Sequence, residues 1–306
     1  MNRTKSKMIR RQNLIANLYI LPIFLNFTIF LAIPLLLSAI YSFTIYNPIK
    51  HDNFFGSLSE IWVGLRQYRE LFTNLAYSKS FRNAWINTLA FLLEVPVSLI
   101  VGLLLAWAIN SKLIKGGKVF KMLFYVPVVS SVVASNLVWR YIFDHDYGII
   151  NSLLNNHSIY WLRDPVLIKV AIVIKDVWAR TGACLILISA TMQTIDVSLY
   201  EAADLDGAGS LRKFLRITVP LLKPVAFYLV VTGIMGAMKN YSNSLIFAQG
   251  AYEAQSVVYF IWEKGIKSYN YGIASAASII LTLVILVFTV IQFKFSKQGK
   301  VDDGER

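Results

Sequence analysis

The chain has 306 residues, of which 56% are hydrophobic and only 15% are charged. Soluble domains carry about 25% charged residues, so this composition excludes an ordinary soluble globular protein. The formal net charge of +13 would suit a nucleic-acid-binding protein, but the basic residues lie between long apolar blocks. We therefore expect the lipid bilayer, and no nucleic acid, to be a partner of this chain.

Six apolar blocks are each long enough to cross a membrane as a helix, which takes about 20 residues. In chain order they cover residues 14–46, 84–109, 119–143, 165–192, 219–248 and 271–295. Backbone amides find no water in hydrocarbon, and the blocks lack the two-residue alternation of barrel strands. The sequence therefore predicts an all-α polytopic membrane protein with six transmembrane helices in residues 14–295, between cytoplasmic tails at 1–13 and 296–306.

The first block follows a basic stretch and so resembles a secretory signal. The apolar core of a signal peptide is only about 7–15 residues long and ends at small cleavage-site residues. This block is longer, passes Pro22 and Pro34, and has no such site. We interpret it as a retained first span.

The connections between the blocks differ in basic charge, which determines orientation by the positive-inside rule. With the amino terminus inside, the inner segments hold more basic residues than the outer ones, among them Lys112, Lys115, Arg212, Lys213 and Arg216. Both termini are therefore predicted to be cytoplasmic, as an even number of spans requires. The long outer connection 47–83 predicts a short surface helix.

No pattern in the chain indicates catalysis or a metal site. Cys184 is the single cysteine, and Asp144-His145-Asp146 is typical of a solvated loop. Residues 265–268 lack the order of a phosphate-binding loop. We expect a protein that is not an enzyme and binds no metal or cofactor of its own, so that any ATP must be bound by another chain.

The inner connection 193–218 carries the most specific pattern. Ser198 followed by Glu201 predicts a capping box that begins a helix of two turns, ending at Asp206. Gly207 tolerates the left-handed conformation with which helices end. A second short helix is predicted for residues 211–217, before Pro220 begins the next span.

This helical pair has two interpretations. It is either an amphipathic surface helix that merely joins two spans, or a docking element for a cytoplasmic partner. Small Ala202 and Ala203 would let a partner approach closely, and Glu201 would offer a charge.

Glu201-Ala202-Ala203, continued by Asp206-Gly207-Ala208 and Pro220, resembles the EAA loop of binding-protein-dependent ABC permeases. The Asp-Gly-Ala continuation is similar to the carbohydrate and glycerol-phosphate subgroup. Further matches extend over nearly the whole chain, including Asn83 and Asn87-Thr88 at the start of the second span. The chain is thereby identified as a permease subunit of the first-permease type found in maltose and glycerol-phosphate importers, which also fits its end soon after the sixth span.

The resemblance implies an ATP-driven importer of a carbohydrate in the cytoplasmic membrane of a prokaryote. A second permease subunit, in a heterodimer, would complete the pathway, two ATPase subunits would bind ATP and magnesium, and an extracytoplasmic sugar-binding protein would deliver the solute. The ATPase-docking residues would be Glu201, Ala202, Ala203, Asp206 and Gly207. The outer turn at 249–252 departs from the Gly-Gly-Pro that the family often has there.

Polar residues inside the spans are expensive in lipid and face protein or a water-filled cavity. Asp176 and Arg180 are four residues apart on one helix face and predict an ion pair, which leaves Lys175 to find another partner such as Glu94. Candidate residues of the substrate pathway are Asn136, Lys175, Lys239, Asn240, Tyr241 and Asn243. Hydrogen bonding between spans accounts equally well for the third-span residues.

Two other classes of membrane protein stay open at this point. An ion-coupled secondary carrier could use Asp176 or Glu94 as a proton site, although the chain lacks the internal repeats common in such carriers. A membrane scaffold would need no charge inside its spans. Neither class explains the EAA-like loop.

Overall fold

The structure is a computed structural model that describes residues 15, 17–51, 61–110, 117–156 and 158–295. Within these ranges the chain is helical, and its one β pairing is an isolated antiparallel bridge between Thr44 and Trp62. The all-α prediction is confirmed. The predicted tails at 1–13 and 296–306 lie outside the described residues.

The helices are named in chain order over the described residues. They are α1 (Asn17–Tyr41), α2 (Arg66–Thr73), α3 (Leu75–Phe91), α4 (Glu94–Asn110), α5 (Gly117–Val129), α6 (Val132–Ile142), α7 (Ile149–Leu153), α8 (Leu167–Met192), α9 (Val197–Leu205), α10 (Ser210–Leu221), α11 (Lys223–Lys239), α12 (Val257–Trp262) and α13 (Tyr271–Phe295). Four π-helical turns cover Thr28–Ala32, Phe214–Thr218, Asn243–Phe247 and Glu263–Lys267, and a 3₁₀ turn covers Tyr252–Ala254. Helix α2 confirms the short helix expected in the connection 47–83.

Several of these helices are suited to a bilayer. Among the described residues, α1, the nearly continuous α3–α4 pair and α13 are long and apolar enough to cross it, and two bent pairs raise the number to five if each counts as one span. Helix α8 has 26 residues but carries Lys175, Asp176 and Arg180. The chain is a multi-pass membrane protein, and the count of six spans stays a prediction.

The third predicted span is broken, where the sequence predicted a continuous helix. Helices α5 and α6 meet at an angle of 107°. Pro127 lies in the last turn of α5, and Ser131 adopts an extended backbone before α6 begins. Because proline removes a backbone donor and crowds the preceding turn, the helix ends shortly after it.

The fifth predicted span is also broken, and it does not begin at Pro220. Helix α10 extends to Leu221, and α11 follows at an angle of 63° with Pro224 in its first turn. Helix α11 then ends at Lys239, where Asn240 is extended, instead of continuing to residue 248. The prolines explain the first break, since neither can donate to the preceding turn.

The described chain forms two compact units. The first comprises Met1–Thr73 and Ile261–Ile280. Within it, Gln67 Nε2 donates to the Thr44 carbonyl oxygen at 2.7 Å, and Tyr68 Oη donates to Ser42 Oγ at 2.7 Å. These bonds fasten α2 to the segment that follows α1.

The second unit comprises Asn74–Phe260 and Leu281–Arg306 and contains both candidate sites. Its helices α4 and α8 approach so closely at Gly102 that an added Cβ would lie 2.6 Å from Cys184 Cβ. Such contacts between small residues are how membrane helices pack without a hydrophobic driving force. Helix α8 is therefore a fixed central element against which the broken helices pack.

Candidate functional site

Helix α9 lies in the connection 193–218, which we call the coupling loop after the role that the family resemblance predicts, and it begins with a side-chain cap. Asp196 is the capping residue, and its Oδ1 accepts a 2.9 Å hydrogen bond from the Ser198 backbone N–H. The predicted capping box between Ser198 and Glu201 is therefore wrong, because the nearby carboxylate satisfies the free amide first. The same hydrogen bond holds the pKa of Asp196 below its usual value.

The end of α9 is set by Gly207, as predicted. Gly207 has a φ of +68°, its N–H bonds to the Asp204 carbonyl, and the Ala208 N–H bonds to the Ala203 carbonyl. This pair of bonds is a Schellman motif with glycine at the left-handed position. The helix is thus closed at both ends.

One side of α9 is tied to α10. Tyr200 Oη lies 2.8 Å from Thr218 Oγ1, and Lys213 Nζ lies 2.6 Å from Asp204 Oδ1. Phe214 of α10 in turn packs on Trp107 of α4, with ring centroids 5.0 Å apart. The coupling loop is therefore a braced helical hairpin attached to the end of a long apolar helix.

A neighbouring face of α9 is exposed and partly apolar. Val197, Glu201 and Leu205 recur at every fourth residue and so share one helix face. Leu205 is 92% exposed and Val197 is 65% exposed, while Ala202 and Asp206 beside this stripe are exposed as well. Because the exposed apolar residues lie together on one helix face, this face is a candidate protein interaction site.

The second candidate site is a buried network centred on Lys175. Lys175 Nζ lies 2.8 Å from Asp176 Oδ1 and donates to Asn136 Oδ1 at 2.9 Å and to Asn243 Oδ1 at 2.5 Å. Asn243 Nδ2 donates to Asp176 Oδ2. We call these four residues the Lys175 network.

The network corrects two predicted contacts. No ion pair of the described residues joins Asp176 to Arg180, and Lys175 takes Asp176, not Glu94, as its acidic partner. The neighbouring side chains of Lys175 and Asp176 can meet because they share hydrogen-bond partners. Asn243 bonds to both of them, and Asn136 bonds to Lys175.

Arg180 has a different role from the one predicted. Its Nη2 donates to the Leu229 carbonyl oxygen of α11. A Cβ at Gly233 would overlap this guanidinium, so the glycine makes room for it. The arginine therefore fastens α8 to α11.

The candidate pathway residues fall into two groups. Asn136, Lys175 and Asn243 are at most 4% exposed and bond to one another, so they do not face an open space. Lys239 and Tyr241 are exposed, and Asn240 is half-buried with its Oδ1 accepting from the Asn243 N–H. The structure separates a buried structural cluster from an exposed stretch next to it in the chain.

Two sets of residues that sequence reasoning gave no role also hold this region. Asn83 Nδ2 donates to the Tyr252 carbonyl at 2.6 Å, Asn87 Nδ2 donates to the Gln255 carbonyl, and Thr88 Oγ1 accepts from the Val257 N–H. Arg140 donates to the Phe247 carbonyl oxygen at the end of the turn Asn243–Phe247. The spacing of Asn83 and Asn87 on one helix face was a signal, but it could not indicate the partner.

With this geometry established, comparison with known proteins gives the family. The family of binding-protein-dependent transport system inner membrane components matches residues 12–298. The chain belongs to this family. As such a permease it is an inner-membrane transport component and not an enzyme.

The relatives of the permease include ABC transporter components of Bacillus subtilis. The chain is 29% identical to the probable ABC transporter permease protein YesP, over 95% of this chain and 93% of the relative. It is 30% identical to the arabinooligosaccharides transport system permease protein AraP, over 92% and 88%. It is also 30% identical to the sn-glycerol-3-phosphate transport system permease protein UgpA of Yersinia pestis, over 78% and 81%.

The fold of the permease has a solved counterpart. A chain of a bacterial ABC transporter involved in the import of the acidic polysaccharide alginate matches with a TM-score of 0.79, covering 97% of this chain and 99% of the other. The sequence identity is 23%, so this likeness concerns the fold.

Proposed function

We propose that this chain is one permease subunit of an ATP-driven importer that carries a carbohydrate, an oligosaccharide or a related solute such as glycerol phosphate, across the cytoplasmic membrane. The names of its relatives, which include permeases for arabinooligosaccharides, lactose and glycerol phosphate, support the solute class. A second permease subunit, two ATPase subunits that hold ATP and magnesium, and an extracytoplasmic binding protein would complete the importer. A second alginate transporter structure, whose matching chain has a TM-score of 0.77, is in complex with its periplasmic protein.

The observation that carries the proposal is the exposed stripe on α9. Val197, Glu201 and Leu205 present apolar surface around one charge on a helix that is capped at both ends. A helix must be rigid to transmit the motion of a docked partner, and the ties of Tyr200 and Asp204 to α10 supply that rigidity. We assign Glu201, Ala202, Ala203, Asp206 and Gly207 to ATPase docking.

The motion would pass into the membrane through α10 and α11. These helices continue directly from the coupling loop, and Arg180 fastens α11 to α8. The exposed Lys239 and Tyr241 and the half-buried Asn240, at and just beyond the far end of α11, are our candidates for contact with the solute. The carrier alternative, with Asp176 or Glu94 as its proton site, gives no reason for the exposed apolar face of α9.

The test is copurification of the ATPase with Leu205→Ser, Glu201→Lys and a control, Leu153→Ser. Leu153 is 80% exposed, but it belongs to α7 on the predicted outer side. We expect the two α9 variants to insert normally, lose the ATPase and lose sugar uptake, and the control to keep both. An ATPase that binds all three variants equally, with uptake unchanged, would refute the docking role.

A further inference from the structure

The Lys175 network satisfies every donor of its lysine. An ammonium group has three N–H bonds, and those of Lys175 reach Asp176 Oδ1, Asn136 Oδ1 and Asn243 Oδ1. The amide of Asn136 is used as well, since its Nδ2 donates to the Val132 carbonyl at 2.8 Å. A buried polar network that is fully satisfied rigidifies the elements it joins.

The Lys175 network joins two segments that each follow a break in a predicted span. Asn136 lies in the first turns of α6, directly after the 107° bend, and Asn243 begins the π-helical turn Asn243–Phe247 after α11 has ended. Lys175 comes from the middle of the continuous helix α8. The Lys175 side chain therefore connects α6 and the segment after α11, which both follow a break, to the continuous helix α8.

Arg140 makes a second tie between the same two breaks. Its Nη1 donates to the Phe247 carbonyl at 2.6 Å and its Nη2 to Gln249 Oε1 at 2.9 Å. Asn136 and Arg140 are four residues apart on α6, as are Asn243 and Phe247 in the other segment. Helix α6 and residues 243–249 are thus fastened at both ends, and we call the pair the clamped block.

We propose that Lys175 is a positioning residue that makes the clamped block move as one piece when the coupling loop moves. This inference rests on the proposed function. Along the chain the coupling loop leads into α8 on one side and through α10 and α11 to Asn243 on the other, and Lys175 joins both paths to α6. Lys175 acts through Asn136 and Asn243 and does not contact the solute.

The first test measures the clamped block directly. Spin labels at Val138→Cys, which is 56% exposed on α6, and Leu245→Cys report the distance between its two parts in a Cys184→Ala background. With native Lys175, the complete transporter should give one narrow distance distribution that is the same with and without ATP. The double variant Lys175→Met/Asp176→Asn removes both charges of the network at once, so that neither is left buried without the other, and its distance distribution should broaden. A native distance that changes with ATP, or a narrow distribution in the double variant, overturns the proposal.

The second test separates positioning from mere stability. In proteoliposomes the double variant should lower sugar transport about tenfold while ATP hydrolysis continues, because coupling free energy and not assembly is lost. Lys169→Met makes the same substitution six residues earlier on α8, outside the network, and should leave both rates unchanged. Equal loss of transport and hydrolysis would assign the network to assembly and overturn the positioning role.

Two safeguards keep these outcomes decisive. If the double variant fails to insert, Asn136→Leu removes the bond from Lys175 to α6 and leaves the Lys175–Asp176 pair in place, and its spin-label distribution should broaden in the same way. If the native complex shows no sugar-stimulated ATP hydrolysis, the importer proposal fails. The spin-label distances can still be measured in the membrane-inserted chain, and they test the clamped block separately.

Discussion

Gly207 gives the sharpest test of the coupling loop, because its sequence neighbour Gly209 supplies a matched control. Gly207 has a φ of +68°, whereas Gly209 has a φ of −65° and caps α10. A Cβ added at either glycine would meet no atom within 4 Å. The same substitution at the two positions therefore differs in backbone conformation and not in steric space.

The size of the effect follows from that conformation. A side chain in the left-handed region costs about 1–2 kcal/mol, which lowers the population of the closed helix end roughly 5- to 30-fold. Gly207→Ser should carry this cost, and Gly207→Asn should carry less of it because asparagine visits this region more readily. Gly209→Ser should be neutral or stabilising, since serine is a favoured N-cap.

Hydrogen exchange measures the prediction at the atoms concerned. The Gly207 and Ala208 amides, which bond to the Asp204 and Ala203 carbonyls, should exchange roughly 5- to 30-fold faster in Gly207→Ser. Sugar uptake should fall in the same order as the exchange rates rise. Equal exchange and uptake in the serine variants at 207 and 209 would refute the argument from the left-handed turn.

The remaining predictions concern orientation, packing and pH. Leu75 and Leu205 are 91% and 92% exposed. A cysteine at position 75 should react with a membrane-impermeant reagent added outside, and a cysteine at position 205 should not. The opposite labelling pattern would overturn the predicted orientation. Gly182→Ala should lower the thermal stability, because its Cβ would overlap the Phe124 carbonyl oxygen. Gly236 has open space around it, so Gly236→Ala should stabilise its helix by up to about 1 kcal/mol through helix propensity. Equal melting temperatures of the two variants would contradict the close packing at Gly182. The pKa of Asp196 is lowered in the folded chain by its bond to Ser198, so its stabilisation of α9 is present at neutral pH and is lost as the pH falls below the usual value of about 4. Exchange of the α9 amides should therefore rise between pH 7 and pH 3 beyond the intrinsic change, and Asp196→Asn should suppress the rise; the same rise in both would refute the role of the carboxylate.

The sequence by itself determined the environment of this chain and the character of its coupling loop. Long, predominantly apolar blocks without two-residue alternation must be helices in lipid, and this follows from composition and length alone. Gly207 could be placed at the end of α9 because the left-handed conformation is a local property of one residue. The EAA-like residues were recognisable for the same reason, since they lie close together in the chain.

Only the tertiary structure decided how the polar residues pair. Asp176 and Arg180 have the spacing of a helical ion pair, yet Asp176 binds Lys175 and Asn243, and Arg180 binds Leu229. Residues four apart on a helix can interact, but a buried charge takes whichever partners satisfy most of its hydrogen bonds. Apart from the adjacent Lys175–Asp176 contact, these partners lie about 40 to 70 positions away. The bends after Pro127 and before Pro224 bring those partners together, and the angle of a break depends on what packs across it, which no local pattern specifies.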